Sequence, residues 1–201
     1  MKVLLATNNQ GKVARFKHLI SYTRLPVELS TPAELNIATK EIEETGSTLI
    51  ENADLKARGY AGIEIPILAN DTGFYVEGEG FVHAPKRKAL GENSALLSRE
   101  EISSRMLTFW QHVAQKYGGR VNAAWIEAFF ILYPDGKTNT AESRRDVILT
   151  DHIFGVPHPE MPVRALYISK ATNKPAVTHS PEEERKEMEP VIEALTHLLT
   201  A

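Results

Sequence analysis

Residues 2–12 read Lys2-Val3-Leu4-Leu5-Ala6-Thr7-Asn8-Asn9-Gln10-Gly11-Lys12, a short apolar run that breaks into polar, turn-prone residues. From Gly11 onward Val13, Phe16, Leu19 and Ile20 recur at helical spacing. Strand, polar loop and helix in that order point to an α/β chain, where polar residues just after a buried strand are a usual place for a site. The pattern returns downstream. Pro26 to Leu29 can form a second strand, and Ser47 or Thr48, with Glu51 a turn later, can cap a helix. That helix carries Leu49, Ala53, Ala57 and Tyr60 on one face and is expected to close at Gly62. Pro66-Ile67-Leu68-Ala69 then reads as a short buried strand ending in Asn70-Asp71-Thr72-Gly73.

Further on, glycines at 73, 78, 80 and 91, with Pro85 and Lys86-Arg87-Lys88, suggest an irregular connecting segment. A helix over 98–117 follows, with Ile102, Met106, Phe109, Trp110, Val113 and Tyr117 on one stripe that suits a core or a dimer interface. Gly118-Gly119 stops it. Val121 to Tyr133 is rich in aromatic and β-branched residues, and after the turn at Pro134-Asp135-Gly136-Lys137 the chain can return over Thr138 to Leu149 as a long hairpin. Arg164 to Ser169 suggests another strand. Pro181 to Leu199 suggests a terminal helix with Met188, Ile192, Leu195 and Leu199 inward and Pro190 at a bend. No repeat interrupts the chain, which is expected to form one domain over 1–201, with a smaller lobe over about 75–165.

Composition narrows the chemistry. The 201 residues are 42% hydrophobic and 24% charged, an ordinary globular balance, and there is no cysteine, which excludes disulfides, thiolate metal sites and cysteine nucleophiles. The 23 basic and 26 acidic residues leave a net charge of −3, which argues against a general grip on nucleic acid or anionic membrane. Neither a signal-peptide core nor a run of about 20 apolar residues is present, so the cytoplasm is the expected location.

Three segments can carry chemistry. Between the first strand and helix, Thr7, Asn8, Asn9 and Lys12 offer hydroxyl, amide, backbone N–H and ammonium donors to phosphate oxygens, although the glycine spacing is not that of a Walker loop. The plainer alternative is a polar helix cap with a solvated lysine. Glu41, Glu43 and Glu44 precede Thr45-Gly46, and Asn52 and Lys56, four residues apart, face the same way on the next helix. An acidic run can also simply be solvated. Asp71 at a strand end can hold Mg2+ or act as a base, or it can form an Asx-turn. Elsewhere, Asp151, His152 and His158 read as surface residues, and Lys86-Arg87-Lys88 is too short for a nucleic-acid patch.

In their order and spacing these segments resemble the inosine triphosphate pyrophosphatase family, which hydrolyses deaminated purine nucleoside triphosphates to monophosphate and pyrophosphate. The family's Thr-Gly-Asn-x-x-Lys is matched by Thr7, Asn9 and Lys12, with Asn8 in place of the glycine. Glu-Glu-Thr-Gly, Glu-Asn-Ala-x-x-Lys-Ala and Asp-Asp-Ser-Gly are matched by Glu43 to Gly46, Glu51 to Ala57 and Asn70 to Gly73. The resemblance covers Met1 to about Gly80. It implies a central mixed sheet flanked by helices, a Maf/ITPase-type α/β fold, a homodimer, and Mg2+-dependent cleavage of a nucleoside triphosphate. A nucleotide-binding paralogue without turnover is the alternative.

The roles it implies are specific. Lys12, with Thr7, Asn8 and Asn9, would bind the triphosphate, and Asn52 and Lys56 would join the substrate-binding set. Glu44 and Asp71 would hold Mg2+, Asp71 would accept the proton of the attacking water, and Thr72 would touch substrate where the family has Ser. Asn70 replaces the first Asp of the family's pair. In the C-terminal half the family's Phe-Gly-Tyr-Asp-Pro and Ser-His-Arg, which shape its purine pocket, are replaced by Met161 to Ala165 and Glu189-Pro190-Val191. Arg185 stands where the family has a substrate-binding lysine, and Arg87 or Lys88 stands near a cation position. Arg164, Arg185 and the residues near Glu189 are the expected groups for fitting another base.

Overall fold

The computed structural model describes residues 1–91 and 97–200. Two compact units divide the chain: Met1–Thr72, Glu127–Ser143 and the chain from Glu189 onward form the first, and Gly73–Ile126 with Arg144–Met188 the second.

The first unit begins with β1 (Lys2–Leu5), whose Val3, Leu4 and Leu5 are fully or almost fully buried. Such a strand needs neighbours on both sides and cover on both faces. It has β2 (Glu28–Ser30) parallel on one side, Val3 facing Leu29, and β3 (Ile67–Val76) parallel on the other, Leu4 facing Ile67. Next in order come β5 (Arg120–Leu132) and β6 (Thr138–Thr150), the hairpin expected of that stretch, closed where the Tyr133 N–H donates to the Lys137 carbonyl. Helix α1 (Gln10–Thr23) buries Val13, Phe16, Leu19 and Ile20, the four residues its spacing selects. In α2 (Leu49–Arg58), Thr48 rather than Ser47 is the cap: its side chain accepts from the Glu51 N–H while Glu51 reaches back to the Thr48 N–H. The helix ends at Gly59, three residues before the expected Gly62, which lies beyond it at φ +95°. Leu4, Ala53, Ala57, Tyr60, Ile67, Ala69, Phe130 and Leu132 meet in one apolar cluster.

In the second unit, β3 and β5 continue beside each other, and β6 pairs antiparallel with β7 (Tyr167–Ser169), which pairs with β8 (Lys174–Pro175). Parallel and antiparallel pairs together make the sheet mixed, as expected. The stretch from Gly73 is regular rather than irregular. β3 runs on to Val76, turns through Gly78 and Gly80 at φ +84° and +85°, and pairs with β4 (Gly80–Val82); α3 (Pro85–Leu90) follows. The left-handed glycines make that tight return possible. Helix α4 (Arg99–Lys116) buries Met106, Leu107, Trp110 and Ala114, with Ile102, Phe109, Val113 and Tyr117 half-buried at the cluster's edge. Trp110 belongs to the core, edge-on to Phe74 at 5.0 Å. Pro162–Leu166 is a 3-10 turn, so the strand expected from Arg164 starts only at Tyr167. Helix α5 (Pro181–Thr200) starts in the second unit and belongs to the first from Glu189; its buried apolar residues are Met188, Val191, Ala194, Leu195 and Leu198, and Ile192 and Leu199 are half-buried.

Candidate active site

β3 does not stop at Ala69. Asn70, Asp71 and Thr72 lie within the strand, so their side chains alternate between its two faces. Asn70 and Asp71 are buried, 6% and 5% exposed. Burial of a carboxylate requires partners, and α2 supplies two of them. The Lys56 Nζ lies 2.7 Å from Asp71 Oδ1, and the Asn52 amide donates to Asp71 Oδ2 at 3.3 Å. Both partners come from the helix face that their spacing of four predicts, and the Asx-turn reading of Asp71 gives way to these contacts.

Lys56 also reaches the loop before α2, with its Nζ 3.0 Å from Glu44 Oε1. Glu41, Glu43 and Glu44 are all exposed, and Glu44 is the member of the acidic run that pairs with Lys56. Gly46 makes that loop possible. Its N–H donates to Asn52 Oδ1 at 2.8 Å, and a Cβ there would fall 2.7 Å from Glu51 Cβ and 2.8 Å from Asn52 Oδ1. Asn52 therefore ties the Glu-Thr-Gly loop to Asp71 with both ends of its amide.

The other cation arrives from α1. Asn9 caps that helix by accepting from the Lys12 N–H at 3.0 Å, and the Asn9 N–H donates to Thr7 Oγ1 at 3.3 Å; Asn8 is exposed. The cap sets the first turn, and the Lys12 ammonium donates to Asn70 Oδ1 at 3.4 Å, which also accepts from the Thr72 hydroxyl at 3.3 Å. Asn9 caps the helix, as the plainer alternative has it, but Lys12 faces inward to Asn70. Removal from water, and next the charge of Lys56, lower Lys12 from its ordinary 10.5 to about 8, against the pull of Asp71, Glu127 and Glu44.

Sequence reasoning missed Arg15 and Glu127. Glu127 on β5 is fully buried and grips Arg15 with a two-pronged pair, 2.6 and 2.7 Å. A lone carboxylate inside the apolar run Ala123 to Leu132, with Arg15 one turn beyond Lys12, was the available signal.

These contacts all lie within the first unit. Of the remaining candidates, Arg87 and Lys88 are exposed on α3 and Arg185 is exposed on α5, all in the second unit. Arg164 is held within the second unit, donating to Glu184 at 3.1 Å and to the Ala176 carbonyl at 3.0 Å. It is therefore not an open base-reading group. Among the described residues no three His, Cys, Asp or Glu side chains are grouped as a metal cluster, Asp151, His152 and His158 included, and no helix is long and apolar enough to cross a membrane.

With this geometry in view, the likeness to known proteins has a physical basis. The dITP/XTP pyrophosphatase of Aquifex aeolicus (strain VF5) is 45% identical over 78 residues, 38% of this chain and 36% of that protein. That of Wigglesworthia glossinidia brevipalpis is 29% identical over 111 residues, 54% of this chain and 53% of that protein. The matches thus span little more than a third of the first relative and about half of the second. The fold extends further. The Ham1 protein of Staphylococcus aureus superposes with a TM-score of 0.73 at 23% identity, covering 100% of this chain and 98% of that one. The nucleoside-triphosphatase / dITP/XTP pyrophosphatase of Mycobacterium abscessus gives 0.70 at 20%, covering 100% of both. Residues 3–138, more than half of the 201, match the model of the Ham1 family, which contains all three N-terminal motifs, and the chain belongs to that family.

Proposed function

We propose that the chain hydrolyses the α–β phosphoanhydride of a ribo- or deoxynucleoside triphosphate with Mg2+, releasing nucleoside monophosphate and pyrophosphate. The observation that carries this reading is the meeting of two ammonium groups and two carboxylates in one unit, Lys12 on Asn70 and Lys56 between Asp71 and Glu44. The names of the curated relatives agree with it over the part that they share with this chain.

The donor set suits the metal. A cationic group, the Lys56 ammonium, already lies between the hard oxygens of Asp71 and Glu44, and Mg2+ is commonly held by one or two carboxylates together with substrate phosphates. Glu44 and Asp71 would hold the ion, which when bound would neutralise phosphate charge. Lys12 would meet phosphate oxygens beside the α1 N-terminus. Asp71, oriented by Asn52 and Lys56, would take the proton of the water that attacks the α-phosphorus, as the bond to the β-phosphate oxygen breaks. Positioning and charge supply most of such a displacement.

One observation favours a binder without turnover: Asp71 already gives an oxygen each to Lys56 and Asn52, and Asn70 stands where a second acid could be. Phosphorus NMR of the products decides between the two. Monophosphate and pyrophosphate support hydrolysis, and intact triphosphate bound without turnover supports the binder. The replaced C-terminal motifs support a broad base preference rather than a sharp one for 6-oxo purines. The family resemblance supports a homodimer, and the net charge of −3 argues against a nucleic-acid or membrane partner.

A further inference from the structure

The structure points to Arg15 and Glu127 as a positioning pair: we infer that their two-pronged contact fixes the first turns of α1 on β5 so that Lys12 can meet phosphate. The inference rests on the proposed phosphate role of Lys12. Arg15 lies three residues after Lys12, hence on the same side of α1. Glu127, fully buried, receives both guanidinium N–H groups at 2.6 and 2.7 Å. The next residue of β5, Ala128, accepts from the Asn70 amide at 3.2 Å, and the other end of that amide accepts from the Lys12 ammonium. A closed circuit results: Lys12 to Asn70, Asn70 to Ala128, Glu127 to Arg15, and back along α1 to Lys12.

The adjoining residues repeat the attachment. Phe16 meets Phe129 edge-on at 6.1 Å, and Phe129 shares the Glu127 side of β5 because strand residues two apart face the same way. Helix α1 also buries Val13, Leu19 and Ile20, so its attachment does not depend on the ion pair alone. A buried ion pair adds little net stability over an apolar pair of similar volume, and its best-attested use is to specify one arrangement. Here it selects the rotation and height of α1 that bring the Lys12 ammonium to Asn70.

The test separates stability from placement. Melting temperature and the Kd for inorganic tripolyphosphate are measured at about pH 6, where the Lys12 ammonium stays charged even without the pull of Glu127, for the wild type, Arg15→Met, Glu127→Gln and the double variant, with KM and kcat followed in parallel. Each single variant breaks the pair and leaves one of its charges, the fully buried Glu127 or the half-buried Arg15, so it melts lower and binds more weakly. The double variant leaves none. It is expected to recover melting temperature relative to the single variants while Kd and KM stay raised by about tenfold or more, the scale on which misplaced supporting groups act. Recovery of both stability and affinity in the double variant overturns the inference, as does a wild type that binds no tripolyphosphate. A wild type that binds tripolyphosphate but hydrolyses no nucleotide defeats the proposed function alone, and the Kd comparison still decides the role of the pair.

Discussion

Raising the pH from 6.5 to 9.5 should remove the charge of Lys12 and with it much of the grip on triphosphate. Burial and Lys56 lower this ammonium to about 8, so it is present roughly ten to one at pH 7 and lost roughly ten to one at pH 9. A hydrogen bond to a charged group contributes about 1.5–3 kcal/mol. Its complete loss should lower kcat/KM by about 10- to 150-fold; the charged fraction itself falls only about 30-fold by about pH 9.5, so the plateau lies above about pH 10. The sign follows from the group: the charged form binds, so activity is full below the midpoint and falls as pH rises through it. Bound phosphates favour the ammonium, so the descending limb of kcat, which reports the complex, should lie above that of kcat/KM, which reports the free protein. Initial rates of pyrophosphate release over the pH range measure both. Lys12→Arg should remove the limb, because a guanidinium does not titrate there, and Lys12→Met should sit at the plateau throughout. A limb near pH 8 that persists in Lys12→Arg, or a wild type without one, would refute the reasoning.

Asp71→Asn should keep the fold, being nearly isosteric, and abolish turnover by removing a metal ligand and the proton acceptor together; circular dichroism and rates check the two halves. Glu44→Gln should raise the Mg2+ concentration for half-maximal rate more than it changes affinity for metal-free nucleotide, as Mg2+ titrations would reveal; a larger effect from Glu41 or Glu43 would contradict the assignment. In the second unit, burial pushes the Glu187 carboxyl up, but His179, Arg145 and Arg164 outweigh that and hold it at about 2. Glu187 should therefore stabilise by roughly 3 kcal/mol above pH 4.5, a contribution lost as pH falls from 4.5 towards 2, and acid titration of the melting temperature should show Glu187→Gln without this dependence.

Much of the first unit was legible because local rules and tertiary structure agree there. Val3 to Leu5 are apolar on both faces as a central strand demands, and the α1 stripe and the Glu51 capping partner follow from periodicity and donor geometry. The motifs placed Lys12, Glu44, Asn52, Lys56 and Asp71, and the structure brings them to neighbouring positions. What stayed hidden depends on distant partners. Asn70 to Thr72 look like a strand end because they are polar, yet they continue β3 since α1, α2 and β5 satisfy them. The grip of Glu127 on Arg15 spans 112 residues, which no local pattern reports. Gly59 closes α2 before Gly62, and its place against Ile42, whose Cδ1 would lie 2.3 Å from an added Cβ, is again a tertiary contact. In α5 Met188 and Leu195 are buried as expected, but Val191 and Leu198 complete the face in place of Ile192 and Leu199, because they fit the helical stripe equally well.

The most direct test of the account is pyrophosphate release with Mg2+ over adenosine, guanosine, inosine and xanthosine triphosphates and their deoxy forms, for the wild type and Asp71→Asn. The account predicts one pyrophosphate and one monophosphate per triphosphate consumed, no turnover by Asp71→Asn, and kcat/KM values for inosine and xanthosine triphosphates within about 10²-fold of the others, because the family's base-reading motifs are replaced. Orthophosphate and diphosphate as products, or undiminished turnover by Asp71→Asn, would contradict it.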